Sequence, residues 1–173
     1  MGMTEIEPIV TEAQIRQRVK EMAEEIRAAY PGDKPLLVAV LKGAVFFLAD
    51  LCRALGPGFP IDFLSIKAYD GERPSGAVQI RLDLATDIRG RQVLLVEDIV
   101  DSGMTLTYLY EMLSARGPSG LRVAALLLKQ EAYEGSVEID FVGFRIPSRF
   151  VVGYGLDLNE EWRNLPFVGF VKS

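Results

Sequence analysis

The strongest constraint on the fold is a set of short apolar runs: LLVAVL at 36–41, VLLVED at 93–98, apolar up to its two closing acids, and VAALLL at 123–128. A strand with one wet face alternates apolar and polar side chains, because successive residues point to opposite sides. These runs do not alternate, so each must be covered on both faces, as the strands of a parallel sheet are. IDFVGF at 139–144 reads as a fourth. Helical patterns lie between them. Ile15, Val19, Met22 and Ile26 recur at helical spacing within 11–30, with Thr11 and Gln14 as a capping box and Pro31-Gly32 as the stop. AVFFLADLCRAL at 44–55 and MTLTYLYEMLSAR at 104–116 read the same way, each ended by a Gly-Pro pair. Strands alternating with helices predict an α/β fold: a Rossmann-like parallel sheet flanked by helices, with right-handed crossovers.

One stretch has a different texture. IDFLSIKAY at 61–69 and VQIRLDL at 78–84 flank the polar segment DGERPSG, and in the second arm apolar and polar residues alternate. That predicts a small antiparallel flap over about 65–82, with a connection too long for a tight turn. A length of 173 residues suits a single domain spanning 1–173.

Composition removes whole classes of chemistry. There is no histidine, which excludes Ser-His-Asp and Cys-His catalysis and any histidine-ligated metal. The single cysteine, Cys52, lies in an apolar helical pattern and reads as a small buried hydrophobe. A metal here would be hard and oxygen-ligated, with magnesium (Mg2+) the first expectation. The net charge of -5 argues against nucleic acid as a partner, since phosphate neutralisation needs clustered Lys and Arg. The apolar runs are far too short to span a bilayer, and MGMTEIEPIV has no signal-peptide core, so the expectation is a cytoplasmic protein with no membrane contact.

In parallel sheets ligands bind beyond the carboxyl ends of the strands. Lys42, the group Glu97-Asp98-Asp101, and Lys129 each follow an apolar run, so all three should meet at one edge. The central group belongs to VLLVEDIVDSGMTL at 93–106. Its DSGMT turn joins a strand to a helix. Small residues there let the backbone approach a ligand, and the free amides of a helix start suit a phosphate, with the Ser102 and Thr105 hydroxyls adding donors. Glu97 and Asp98 can accept from vicinal sugar hydroxyls or hold a hydrated magnesium ion, and Asp101 is placed to act as a general base. Any one of these acids alone would read as an ordinary helix cap or a solvated strand end; the whole pattern reads as a site for a phosphorylated sugar. The Gly-x-x-x-x-Gly-Lys and Gly-x-Gly-x-x-Gly spacings are absent, so it is neither a P-loop nor a dinucleotide fingerprint.

VLLVEDIVDSGMTL resembles the phosphoribosyl-pyrophosphate signature of the type I phosphoribosyltransferase family. Leu41-Lys42-Gly43, Lys129 and DFVGFRIPSRFVVGYGLDLNEEWRNLPFVG resemble its hypoxanthine-guanine branch, over nearly the whole chain from about residue 36 onward. The resemblance implies a purine-salvage enzyme that joins hypoxanthine or guanine to the ribose of phosphoribosyl pyrophosphate, releasing pyrophosphate and giving IMP or GMP. Residues 101–105, Gly103 and Met104 included, would hold the 5′-phosphate. Glu97 and Asp98 would face the ribose, and Asp101 would take a proton from the imidazole part of the purine. Lys129 would donate to the 6-oxo group, Phe150 would stack on the base, and Val151 would offer backbone groups to its edge. Asp157, with Glu97 and Asp98, would serve a magnesium ion. Arg163 and the Lys42-Gly43 loop, with a cis peptide before the lysine, would hold the pyrophosphate. The resemblance also implies a C-terminal hood over about 145–173, joined by part of the N-terminus, and a homodimer or homotetramer.

Two positions depart from the family pattern. The flap pair, usually Ser-Tyr, is here Ala68-Tyr69, which removes one hydroxyl, and Met104 stands where some relatives carry a basic residue. Two other readings keep the fold: a regulator that senses phosphoribosyl pyrophosphate, and a transferase for xanthine.

Overall fold

The computed structural model describes residues 5–68 and 78–172. The chain runs β1 (Ile6–Val10), α1 (Glu12–Ala29), β2 (Leu36–Leu41), α2 (Val45–Leu55), β3 (Ile61–Ala68), β4 (Val78–Leu82), β5 (Gln92–Val100), α3 (Met104–Ser114), β6 (Gly120–Lys129), β7 (Phe141–Ile146), β8 (Val151–Val152) and β9 (Val168–Val171). Six strands form the main sheet in the order β4-β3-β2-β5-β6-β7. All its pairings are parallel except β3 with β4, which are antiparallel. The expected parallel α/β sheet with a short antiparallel arm is therefore present. The tip of that arm, with Tyr69, lies outside the described residues.

The unbroken apolar runs are explained by two cores, one on each face of the sheet. Leu37, Ala39, Leu94 and Val96 join α1 and α2 in one core. Their alternates Leu36, Val38, Leu95 and Val93 join α3 in the other. Helix α1 starts as its sequence dictates: the Thr11 side chain accepts from the Gln14 N–H, while the Gln14 side chain accepts from the Thr11 N–H at 2.8 Å. Ile15, Val19, Met22 and Ile26 are its buried stripe. No helix among the described residues is long and apolar enough to cross a membrane.

The ends of the chain meet in a second, antiparallel sheet with the order β1-β9-β8. Register carries the design of the main sheet to its functional edge. Ala39 of β2 faces Val96 of β5, so the end of β2 arrives beside Asp98. Val100 of β5 faces Leu128 of β6, so Asp101 and Lys129 emerge as neighbours. The chain passes from β2 outward to β3 but from β5 outward to β6, which makes the β2–β5 seam the switch point where parallel sheets open a crevice.

Candidate active site

That crevice holds a cavity of about 240 Å³ lined by Leu41, Gly43, Glu97, Asp98 and the whole turn from Asp101 to Thr105. The turn is shaped by Gly103, whose φ of 91° is in the left-handed region and makes it the N-cap of α3. A Cβ there would strike the ring of Tyr133. Tyr133 is itself fixed by donating its hydroxyl to the Val137 carbonyl at 2.5 Å, and the Glu134 N–H donates to the Ser102 carbonyl at 3.1 Å. No side chain caps α3, and its first turn carries no acidic residue. The leading amides of the helix thus keep their capacity for an anion, with the exposed Ser102 and Thr105 beside them.

Glu97 and Asp98 form the inner wall. They are not on the rim but inside β5, three and two residues before its end. Glu97 is 5% exposed, and burial, followed by the charge of Asp98, holds its carboxyl well above the ordinary range. Burial likewise pushes the Asp98 carboxyl up to about 6, against the Ile99 N–H that it accepts and the nearby Arg163 charge. Both acids therefore resist ionisation until something cationic or hydrogen-bonding reaches them.

The Leu41–Lys42 peptide is cis, as the resemblance implied. The loop that follows is clamped from two sides: a Cβ on Gly43 would overlap the Asp98 carboxylate, and a Cβ on Gly155 would overlap the Gly43 carbonyl. Lys42 donates to Glu160 at 2.8 Å. Arg163 pairs with Asp157 at 2.9 Å, reaches Glu160 at 3.4 Å and donates to the Gly155 carbonyl at 2.7 Å. Its Nε is buried without a partner. The second Asp157 oxygen accepts the Glu160 N–H at 2.8 Å. Lys42, Gly43, Asp98, Asp157 and Arg163 are thus one neighbourhood, and the Glu160 carboxylate occupies its two cations.

On the far side of the turn, Lys129 donates to Asp101 at 2.5 Å. The lysine side chain is 11% exposed and the aspartate 54%. Ile146 of β7 faces Lys129, and the chain from there leads to Phe150, 56% exposed, and to Val151, buried and paired with Phe170 of β9. Ala68 ends β3 opposite Val78.

The sequence reading missed Glu160, Gly155 and Tyr133. Glu160 sits at φ 67°, between Asn159 at φ 53° and Trp162 at φ 73°, and no residue type in NEEW announces that left-handed path. Gly155 was quoted only as part of a longer stretch; its φ of 105° and its contact with Gly43 are tertiary facts. Among the described residues no three acidic or cysteine side chains converge as a ready metal cage. Asp157, with two carboxylate oxygens beside a phosphate-type pocket, suits a magnesium ion that takes most of its ligands from substrate and water.

Residues 6–159 match the family model described as the phosphoribosyl transferase domain. The chain is 41% identical over 165 residues to the hypoxanthine-guanine phosphoribosyltransferase of Bacillus subtilis (strain 168), covering 95% of this chain and 92% of that one. It is 45% identical over 168 residues to the enzyme of the same name from Mycobacterium tuberculosis (strain ATCC 25618 / H37Rv), covering 93% and 83%. Among solved structures, the hypoxanthine-guanine phosphoribosyltransferase of Bacillus anthracis with HEPES in its active site superposes with a TM-score of 0.92 at 38% identity, over 97% of this chain and all of that one.

Proposed function

The chain belongs to the phosphoribosyltransferase family, and from that premise we propose that it transfers the 5-phosphoribosyl group of phosphoribosyl pyrophosphate to a 6-oxopurine, hypoxanthine or guanine. The observation that carries this reading is the adjacency of the uncapped α3 amides, which line the 240 Å³ cavity, with Asp101 at its edge and the Lys129 paired to it. The amides suit the 5′-phosphate. The pair offers one acceptor for a purine N–H and one donor for a 6-oxo group.

The turn from Asp101 to Thr105 holds the 5′-phosphate, helped by the positive end of α3. Glu97 and Asp98 meet the ribose hydroxyls. As the bond from C1 to the leaving pyrophosphate breaks, positive charge grows on the ribose beside these two acids, and that charge favours their ionised forms. Lys42, the Gly43 backbone and Arg163 receive the pyrophosphate, displacing Glu160 from both cations. Asp157 would hold a magnesium ion together with the substrate, and that ion would supply charge neutralisation for the leaving group. Binding of the purine moves Lys129 from Asp101 to the 6-oxo oxygen, which frees Asp101 to take the proton released from the imidazole ring. Phe150 covers the base and the Val151 backbone meets its edge. The same reading carries a cytoplasmic location and a dimer-based assembly.

The test is a spectrophotometric assay of purified protein with phosphoribosyl pyrophosphate, magnesium and each of hypoxanthine, guanine, xanthine and adenine. Nucleotide from hypoxanthine or guanine supports the reading. Tight binding of phosphoribosyl pyrophosphate with no product from any base would instead identify a sensor.

A further inference from the structure

Tyr154 lies outside the cavity and has no part in the chemistry above, yet the structure holds it tightly. It is buried at 6% exposure and adopts φ 50°, a conformation that side-chain-bearing residues rarely take. Its hydroxyl donates to Oδ2 of Asp50 on α2 at 2.6 Å. Burial, followed by that contact, raises its pKa and keeps the phenol a donor. Its ring lies 6.3 Å from that of Phe46, in the first turn of α2. Its N–H donates to the Leu165 carbonyl at 2.9 Å.

The two ends of this contact lead to the pyrophosphate groups. Helix α2 follows directly on the loop that carries Lys42 and Gly43. Gly155, next to Tyr154, presses its Cα on the Gly43 carbonyl and is locked to Arg163 in both directions: its N–H donates to the Arg163 carbonyl at 2.9 Å and its carbonyl accepts from the guanidinium at 2.7 Å. Two residues further on is Asp157. The hydroxyl of Tyr154 is thus the side-chain bond that ties the segment bearing Asp157 and Arg163 to the helix behind Lys42.

We infer that Asp50 and Tyr154 are positioning residues for the diphosphate half of the site, holding the Lys42-Gly43 loop and the Asp157–Arg163 segment at a fixed separation. The inference rests on the reading that these groups meet the pyrophosphate, and it predicts a defect confined to that half. Neither residue lines the cavity of the α3 amides. Both line a separate groove of about 550 Å³ between α1, α2 and the 164–166 segment, whose lining includes neither Asp101 nor Lys129.

The experiment measures the affinity of magnesium–phosphoribosyl pyrophosphate by calorimetry and the KM of each substrate, for Tyr154→Phe, Asp50→Ala, Asp50→Asn and the double variant Tyr154→Phe/Asp50→Ala. Loss of one hydrogen bond to a carboxylate lowers the population of the competent arrangement, so Tyr154→Phe and Asp50→Ala should each weaken phosphoribosyl pyrophosphate binding about tenfold or more, with the purine KM within about twofold. Asp50→Asn keeps an acceptor oxygen and should recover most of the affinity. The double variant should be no worse than the poorer single one, because both remove one interaction. Unchanged affinity in folded Tyr154→Phe, an equal rise in both KM values, or full additivity would overturn the inference. Because calorimetry needs no turnover, absence of transfer in the unsubstituted protein would count against the proposed reaction and leave this comparison standing.

Discussion

Asp98→Asn should stabilise the free protein at neutral pH, although it removes a group from the site. The carboxyl is walled in by Gly43 and the cavity lining, accepts the Ile99 N–H at 2.8 Å, and is raised by burial from 3.8 to about 6. An acid whose folded pKa lies above its unfolded value binds more protons in the folded state, so its ionisation lowers stability as pH rises. The displacement corresponds to about 3 kcal/mol lost above pH 6, shrinking through the window from 6 to 3.8 and vanishing below it. Asparagine has the same shape, keeps an oxygen for the Ile99 N–H and carries no charge. It also removes the repulsion that helps to raise Glu97, an effect of the same sign. For a chain of this length the gain is roughly 6–12 °C in Tm as an upper value.

The assay is urea or thermal unfolding of both proteins from pH 4 to pH 8 without ligand. The quantity to follow is the difference between them, in which the titrating groups other than Asp98 and its neighbour Glu97 cancel. The difference should be near zero at pH 4 and reach its plateau above pH 6. A variant no more stable at pH 7.5, or a gain independent of pH, would refute the claim that Asp98 is held against its preferred ionisation. Such a cost persists where activity requires a strained site.

Asp101→Asn should slow turnover by about 10² to 10⁴, the range for loss of a general base, with phosphoribosyl pyrophosphate affinity roughly intact; single-turnover kinetics with separate binding measurements would show it. Lys129→Ala should lower kcat/KM for hypoxanthine by about ten- to a hundredfold and erode preference over adenine, which a competition assay reads directly. Glu160→Gln should tighten phosphoribosyl pyrophosphate binding, by no more than about fivefold because the Lys42–Glu160 pair is exposed, and calorimetry at low and high salt would reveal a gain largest at low salt.

What was legible in the sequence follows the range of the forces involved. The Thr11 capping box, the helical stripe of α1 and the unbroken strands depend on neighbours a few residues away, and the structure reproduces them. Strand β1 was not expected, since IEPIV is short, contains a proline, and is ordered by pairing with Val168–Val171 at the other end of the chain. Strand β5 runs two residues past VLLVED, to Val100, because Ile99 and Val100 go on pairing with Leu127 and Leu128 of β6, a partner the local sequence does not announce. Strand β6 starts three residues earlier than VAALLL, at Gly120, because Arg122 lies over the Tyr30 ring at 4.8 Å and donates to the Ala29 carbonyl at 3.0 Å, which hides its apolar stem. At the site, residue types named the chemistry, but the Gly43–Gly155 contact and the Tyr154–Asp50 bond span more than 100 positions and leave no local trace.

A protein of net charge -5 must still bind a substrate carrying several phosphates. The ion pairs show how. Lys42 is matched by Glu160, Arg163 by Asp157 and Lys129 by Asp101, so three cations of the proposed site each hold a carboxylate partner in the absence of ligand. Unpaired, they would stand as a basic patch open to any polyanion. Paired, they yield only to a ligand whose oxygens replace the displaced carboxylates at the same points, while Glu97 and Asp98 resist ionisation unless a sugar or a developing positive charge meets them. On the proposed reading selectivity lies in the exchange: a bare phosphate satisfies one partner, whereas phosphoribosyl pyrophosphate and a 6-oxopurine bound side by side satisfy all of them together.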